Sequence, residues 1–285
     1  MQRLRLIEKI VEPQPVLEGA GVLVNRTIAT RMLNYLDPFL LLDHFESDRR
    51  ELYEAGFPMH PHRGIETVTY VLSGCVHHQD TLGNAGDIGP GDAQWMTSGR
   101  GIMHEEMPQV RPEGISGFQL WVNLPAKLKM TQPQYQDIRS AQIAETETEE
   151  GARVRVVAGS FGNVTGPVTG IPVDPTYLDV AVPPRTIFTR AIPQGYTAFA
   201  YVFEGEANFA VDGPGSGVRI AHTRLVIFGD GDFIRVVTDE GSIRLLLISG
   251  KPLYEPVARY GPFVMNTKDE IEQALLDLRR GTFVS

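Results

Sequence analysis

Short runs rich in Val, Ile, Thr, Tyr and Phe recur along the whole chain, and each ends at Gly, Pro, Asn or Asp. Examples are IETVTYVLSG (65–74), GFQLWVNLP (117–125), YLDVAVPP (177–184) and IRLLLISG (243–250). Such runs are typical of β-strands, and many of them without intervening helical periods predict a sandwich or barrel. The C-terminal segment 267–280 differs. Thr267 is placed as a helix cap, and apolar residues follow at helical spacing: Ile271, Ala274, Leu275 and Leu278. The sequence therefore predicts an all-β fold with a C-terminal α-helix.

A chain of 285 residues is long enough for two domains of about 150 residues each. An internal repeat supports this division. TYVLSG (69–74) and the turn GPGD (89–92) resemble AYVFEG (200–205) and the turn GDGD (229–232). The polar stretch 137–152 is suited to connect two halves. We therefore predict a duplicated β-barrel, with an N-terminal domain at 1–135 and a C-terminal domain at 136–285.

Charge and composition argue against several classes of protein. The net charge is −9, which disfavours direct binding to a nucleic-acid backbone. The first residues, MQRLRLIEKIVE, lack the apolar core of a signal peptide, and no apolar run is long enough to span a membrane. Cys75 is the only cysteine, so disulfides within the chain and thiolate metal sites are excluded. We expect a cytoplasmic protein without membrane association, with a nuclear location possible only in a eukaryote.

Histidines are concentrated in the first half, where six of the seven lie between His44 and His104. His60 and His62 are two residues apart on a predicted strand, so their side chains point to the same face. His104 and Glu106 repeat that spacing, and Glu66 shares the parity of the first pair. Three imidazoles and one carboxylate suit Fe(II), Mn, Ni, Cu or Zn. Strand parity alone allows either Glu66 or Glu106 as the carboxylate.

These residues carry a family resemblance. The segment HPHRG, the following Glu and the later Gly resemble the first motif of the cupin superfamily. Longer segments together look like pirins: LDPFLLLDHF (36–45), GFPMHPHRGIETVTYVLSG (56–74), PGDAQWMTSGRGIMHEEMP (90–108), QLWVNLP (119–125), PQYQ (133–136) and YGPFVMNT (260–267). The resemblance runs from about residue 20 to the C-terminal helix, and its motifs are long and specific.

The resemblance implies a bicupin, in which two β-barrels lie face to face and only the N-terminal one binds iron. The implied metal ligands are His60, His62, His104 and Glu106. Ordinary cupins use the Glu of the first motif, which is Glu66 here, whereas pirins resemble a variant in which Glu106 takes that role. The C-terminal domain is expected to be metal-free.

Two further residues are candidates for the surroundings of the metal. His78 matches a histidine in pirins a few residues past the ligand strand, so it could line the pocket or orient a ligand. Arg63 follows the His60–His62 pair and could form an ion pair with a buried carboxylate such as Glu66.

The implied function is an Fe(II)-dependent flavonol 2,3-dioxygenase, which opens quercetin with O2 and releases carbon monoxide. Glu106 would be the base that takes the flavonol proton. The alternative is a non-catalytic, redox-responsive iron protein that binds a transcription factor or a metabolic enzyme. Nuclear co-regulators of this family are basic ahead of the LDPF segment, where this chain has Leu23, Asn25, Thr30 and Asn34. This difference disfavours the nuclear role. A purely structural cupin is a third interpretation.

Overall fold

The computed structural model describes residues 2–213 and 216–284, and its regular structure is mostly β-strand. The strands of the first half are β1 (Ile7–Val11), β2 (Gln14–Glu18), β3 (Val22–Ile28), β4 (Phe39–Ser47), β5 (Phe57–His62), β6 (Ile65–Ser73), β7 (Val76–Asp80), β8 (Ala85–Ile88), β9 (Ala93–Thr97), β10 (Ile102–Pro108), β11 (Ile115–Asn123) and β12 (Gln134–Ile138). Those of the second half are β13 (Glu145–Glu147), β14 (Arg153–Ala158), β15 (Ser160–Phe161), β16 (Val164–Thr165), β17 (Thr176–Val182), β18 (Ile187–Ala191), β19 (Thr197–Phe209), β20 (Val218–Ala221), β21 (Arg224–Phe228), β22 (Phe233–Val237), β23 (Ile243–Gly250), β24 (Ala258–Tyr260) and β25 (Phe263–Met265). Short 3-10 turns span Arg50–Leu52, Ala126–Leu128 and Ser140–Gln142, and helix α1 spans Lys268–Arg280. The predicted all-β class with a C-terminal helix is confirmed.

The chain forms two compact units. The histidine unit comprises Gln14–Ser140 and Leu253–Ser285, and the second unit comprises Met1–Pro13 and Ala141–Pro252. The sequence predicts two continuous domains, 1–135 and 136–285. In the structure each unit is discontinuous: the N-terminal segment belongs to the second unit, and the C-terminal segment belongs to the histidine unit. Strand pairing explains why the N-terminal segment belongs to the second unit, because β1 is hydrogen-bonded to β21 of that unit.

The histidine unit contains two larger antiparallel sheets. The strand order is β12-β9-β6-β11-β4-β3-β2 in one sheet and β5-β10-β7-β8 in the other. Alternate side chains of each strand point to opposite faces of its sheet. Inward-facing apolar residues form a buried cluster: Val22, Val24, Phe45, Tyr53, Val71, Val76, Ile88 and Ile115. Most of this cluster also forms part of the wall of the cavity described below.

The second unit is built on a ten-stranded sheet. Its main path is β1-β21-β19-β23-β17-β14-β13, and β18, β20 and β22 join it through β19. Alternate residues of the central strands pack into one apolar core, which includes Val154, Val156, Leu178, Val180, Val202, Leu245 and Leu247. Burial of these branched side chains is the main source of stability for this unit.

Both units use a glycine at the same place in the fold. Gly74 follows β6 with φ +78°, and Gly205 within β19 has φ +70°. A Cβ at Gly74 would collide with the carbonyl of Gly114, and one at Gly205 would collide with that of Ser242. Only glycine fits a left-handed backbone packed this closely against the next strand. The two units therefore share the strand-associated glycine that the internal repeat predicts.

Helix α1 begins and ends as its sequence predicts. Thr267 accepts a hydrogen bond from the backbone N–H of Glu270, whose side chain in turn accepts from the Thr267 backbone. Gly281 ends the helix in the left-handed conformation. The buried face packs in one cluster with Phe263, Met265 and Phe283 of the same unit. In the described part of the chain, no helix has the length and apolar character that crossing a membrane requires.

Candidate metal centre

Three histidines converge in the histidine unit. His60 and His62 lie on β5, and His104 lies on β10 directly opposite His60 in the antiparallel pairing. The ring centroids are 4.3 Å apart for His60 and His104, 4.9 Å for His60 and His62, and 5.0 Å for His62 and His104. Their candidate ligand nitrogens all lie within 4.8 Å of one another. The structure therefore brings together the three histidines that the sequence selects.

Backbone carbonyls orient two of these rings. His60 Nδ1 donates to the carbonyl of Pro58 at 2.9 Å, and His62 Nδ1 donates to that of Pro262 at 3.4 Å. Because a carbonyl can only accept, each Nδ1 carries a proton, and in the neutral ring form Nε2 keeps its lone pair. The two Nε2 atoms are 3.1 Å apart. Two lone pairs at this distance repel each other, and a shared cation would remove the repulsion.

Burial keeps the imidazoles of His62 and His104 neutral. His62 is 2% exposed and His104 is 0% exposed. Desolvation, with a smaller contribution from the neighbouring histidines, lowers the pKa of both well below the ordinary value. Both ring nitrogens of His104 are buried, and neither has a hydrogen-bond partner among the described residues. Neutral imidazoles and an unpaired buried nitrogen fit a divalent transition metal, which requires deprotonated ligands.

Glu106 lies on β10 two residues from His104, and its side chain is buried. Thr69 Oγ1 donates to Oε1 at 2.6 Å, and Gln119 Nε2 donates to Oε2 at 2.8 Å. The carboxylate is thus held beside the histidines but is not part of the three-histidine group. Its role as the fourth ligand stays a prediction.

Glu66 lies elsewhere in the unit. Its carboxylate accepts hydrogen bonds from Trp95 Nε1 at 3.1 Å and from Thr97 Oγ1 at 3.0 Å, and it does not line the cavity beside the histidines. The strand that carries the histidines ends at His62, and Gly64 has φ +81°. This turn resets the alternation of side chains, so the parity shared by His62 and Glu66 does not place them on one face.

Glu66→Gln is expected to change how stability depends on pH. Desolvation raises the pKa of Glu66 from 4.5 to about 7, so the folded state holds a proton that the unfolded state releases. The wild-type free energy of unfolding therefore falls as pH rises from 4.5 to 7. The glutamine amide can accept from Trp95 and donate to Thr97 without ionising. Urea unfolding at pH 5 and pH 8 measures the free energy of unfolding of both proteins. The value for Glu66→Gln minus the value for wild type should be up to about 3 kcal/mol larger at pH 8 than at pH 5. A difference that does not vary with pH would contradict this account.

His78 lies beside His104 on the neighbouring strand. It lies on β7 opposite Glu106, and its ring centroid is 5.3 Å from that of His104. Gln94 Nε2 donates to Nδ1 at 3.0 Å, which leaves Nε2 to donate towards Asp80 at 3.5 Å. His78 does not line the cavity. Its packing against His104 fits the predicted orienting role, which the structure does not test.

Arg63 anchors the C-terminal helix. Its Nη1 donates to Asp277 at 2.7 Å, its Nε donates to the carbonyl of Arg100, and its guanidinium carbon lies 4.5 Å from the ring centroid of Phe283. The ion pair that the sequence suggests with Glu66 is therefore not formed. The acidic partner is 214 residues away along the chain, and no local pattern indicates it.

A cavity of about 500 Å³ opens beside His60 and His62. This volume is within the range of small-molecule sites. Its wall is mainly apolar and includes Val22, Val24, Leu41, Phe45, Ile115 and Trp121. The polar and charged lining comprises Glu18, Arg26, Asp43, His60, His62, Thr69, Glu106, Gln119 and Arg259. The site therefore combines a candidate metal centre with space for an apolar ligand.

The lining residues that were not selected from the sequence include Thr69, Gln119, Trp121 and Arg259. Thr69 and Gln119 are polar residues in otherwise apolar strands, which is a signal once β6 and β11 are known to be paired. Trp121 contacts the edge of His62, with ring centroids 5.0 Å apart. Arg259 reaches the cavity from the C-terminal segment, and no local sequence pattern indicates that contact.

Comparisons with known proteins place the chain in a family. The family model for pirin matches residues 21–122, and the model for the pirin C-terminal cupin domain matches residues 177–284. A pirin-like protein of Caulobacter vibrioides is 43% identical, over 98% of this chain and 99% of its own. A Pseudomonas aeruginosa protein, provisionally named a quercetin 2,3-dioxygenase, is 41% identical over 99% of both chains.

A solved structure agrees with these relatives. The crystal structure of a quercetin 2,3-dioxygenase from Acinetobacter baumannii matches with a TM-score of 0.87 and 34% identity, over 99% of both chains. The resemblance seen in the motifs is thus confirmed over nearly the whole length. The chain belongs to the pirin family and contains two cupin domains.

Proposed function

We propose that this pirin is an Fe(II)-dependent dioxygenase that opens flavonols such as quercetin with O2 and releases carbon monoxide. The observation that carries the proposal is the group of three converging histidines, two of which, His60 and His62, line a largely apolar cavity. The names of the P. aeruginosa and A. baumannii relatives support the same reaction. The reducing cytoplasm is the proposed location.

His60, His62 and His104 would hold the metal through ring nitrogens, and Glu106 is the proposed fourth ligand. The Nδ1 hydrogen bonds to Pro58 and Pro262 keep the rings of His60 and His62 in the required orientation. When bound, the metal ion supplies a Lewis acid that lowers the pKa of a coordinated hydroxyl group and a redox-active centre for O2.

Glu106 is also the proposed base for the flavonol hydroxyl. Its carboxylate lies on the same strand face as His104 and borders the cavity. The hydrogen bonds from Thr69 and Gln119 fix both oxygens, so the acceptor geometry exists before the substrate binds. In this role Oε1 or Oε2 takes the hydroxyl proton and returns it to the product.

The apolar walls would bind the flat rings of the substrate and exclude water. Leu41, Phe45 and Trp121 present carbon surfaces to the cavity. Aromatic rings pack well against such surfaces, and a dry site strengthens the hydrogen bonds and charges within it.

The proposal is tested by oxygen uptake. Purified protein is first analysed for its metal, then loaded with Fe(II) under anaerobic conditions and mixed with quercetin and a panel of other flavonols. We expect O2 consumption matched by carbon monoxide release, and we expect His62→Ala to abolish both. If fully loaded protein consumes no more O2 than the metal alone with every flavonol, the proposed activity is wrong.

A further inference from the structure

The C-terminal segment brings one arginine to the wall of the cavity. Arg259 lies on β24, and its guanidinium carbon is 4.9 Å from the ring centroid of Trp121. Its Nε donates to the carbonyl of Gly261 at 3.4 Å, and its Nη1 donates to that of Leu40 at 3.2 Å. These contacts hold the guanidinium in place over the indole before any ligand binds.

The neighbouring arginine is already fully engaged. Arg26 donates twice to Asp43, at 2.8 and 2.6 Å, and once to Glu18 at 2.6 Å. Arg259 makes no such ion pair with any carboxylate of the described residues, and within them its Nη2 has no hydrogen-bond acceptor. The two arginines, Arg26 and Arg259, and the two carboxylates, Glu18 and Asp43, together carry no net charge. A ligand anion would therefore meet a neutral wall with one available guanidinium edge.

Arg259 also lies at the outer boundary of the cavity. It lines both the cavity and an adjacent depression of about 400 Å³, which Tyr35, Leu40 and Val257 also line. On the inner side, the edge of Trp121 contacts His62. About one indole ring therefore separates the guanidinium from the three-histidine group. A flat molecule of two or three rings that contacts His62 would present its far end to Arg259.

We propose that Arg259 is a specificity-determining residue, which binds an anionic group at the end of an aromatic substrate opposite to the histidines. This inference rests on the proposed function and names its substrate class: aromatic compounds with a carboxylate or an ionised phenol at the far end. A guanidinium presents a planar pair of N–H donors that matches a carboxylate. Trp121 adds an aromatic surface beside that pair.

Ligand binding tests the inference without turnover. The protein is loaded with Zn(II), which does not support redox chemistry, and titrated with 3-hydroxyflavone bearing a carboxylate at position 4′ or 7. The methyl ester of each compound is the matched neutral ligand. We expect wild type to bind at least one carboxylate about tenfold more tightly than its ester. Arg259→Gln should lose this preference, and high salt should weaken it in wild type.

Two further variants complete the experiment. Arg50→Gln is the matched control, because Arg50 is exposed, pairs with Glu54 and does not line the cavity. It should keep the full preference for the carboxylate. Arg259→Lys retains the charge but not the planar fork, so it should keep part of the preference. It also provides the comparison if Arg259→Gln fails to fold, as judged by thermal unfolding.

Three results would overturn the inference: equal binding of acids and esters by wild type, no binding of any of these compounds, or a full preference in both Arg259 variants. Oxygen uptake on quercetin by the Fe(II)-loaded protein separates this outcome from the proposed function. If the protein consumes O2 but shows no carboxylate preference, only the role of Arg259 is contradicted. If it shows a carboxylate preference but consumes no O2 with any flavonol, only the proposed dioxygenase activity is contradicted.

Discussion

His104→Ala is expected to abolish stable binding of a divalent metal and, with it, any oxygen uptake. The affinity should fall at least about 100-fold, because even the loss of an outer hydrogen bond to a metal ligand costs 10- to 100-fold. The fold should survive. Within residues 2–213 and 216–284, neither ring nitrogen of His104 makes a hydrogen bond, so the substitution removes no side-chain hydrogen bond there.

Metal titration followed by thermal unfolding measures both effects. A metal at about 100 times its Kd adds about 2.7 kcal/mol to the stability of a protein that binds it. Wild type should therefore melt at a higher temperature with metal, whereas His104→Ala should melt at the same temperature with and without it. His77→Ala is the matched control, since His77 is half-exposed and pairs with Asp87. An unchanged metal affinity in His104→Ala would remove His104 from the ligand set.

Lys129→Met is expected to lower the free energy of unfolding by about 3 kcal/mol. Lys129 is 1% exposed, and its Nζ donates to Asn123 at 2.6 Å and to the carbonyls of Val264 at 2.8 Å and Gly64 at 2.9 Å. The three N–H groups of the ammonium match three acceptors. Methionine fills a similar volume but donates to none of the three acceptors.

This substitution also tests how the C-terminal segment is attached. The Lys129 ammonium connects Val264 to the turn after His62, although burial lowers its pKa to about 7. Urea unfolding is the measurement, and Lys127→Met is the matched control from the same turn, because Lys127 is exposed. Equal losses of stability in the two variants would show that the three hydrogen bonds contribute little.

The sequence predicts the histidine group well because the relevant pattern is local. His60 and His62 alternate within one strand, and His104 lies in a strand that pairs with it. A period of two is a property of the extended backbone and does not depend on the rest of the fold. The same is true of helix α1, whose cap at Thr267 and apolar face are set within about four turns of chain.

The prediction of the surrounding residues fails where the backbone departs from that period. Glu66 would share the face of His62 only if one strand continued through Gly64. The positive φ of that glycine interrupts the strand. Arg63, at the same turn, pairs with Asp277 rather than with Glu66. A single turn thus redirects two of the residues that a pattern-based analysis assigns to the site.

The sequence by itself determined the β class, the duplicated plan, the terminal helix and the three histidines, since each follows from short-range periodicity or from a contiguous motif. Only the tertiary structure decided that Thr69 and Gln119 hold Glu106, that Arg259 lines the cavity and that Pro262 contacts His62. These contacts join residues far apart in the chain, through strand pairing and through the return of the C-terminal segment to the histidine unit. Contacts of this kind depend on how elements pack, which no local run of residues encodes.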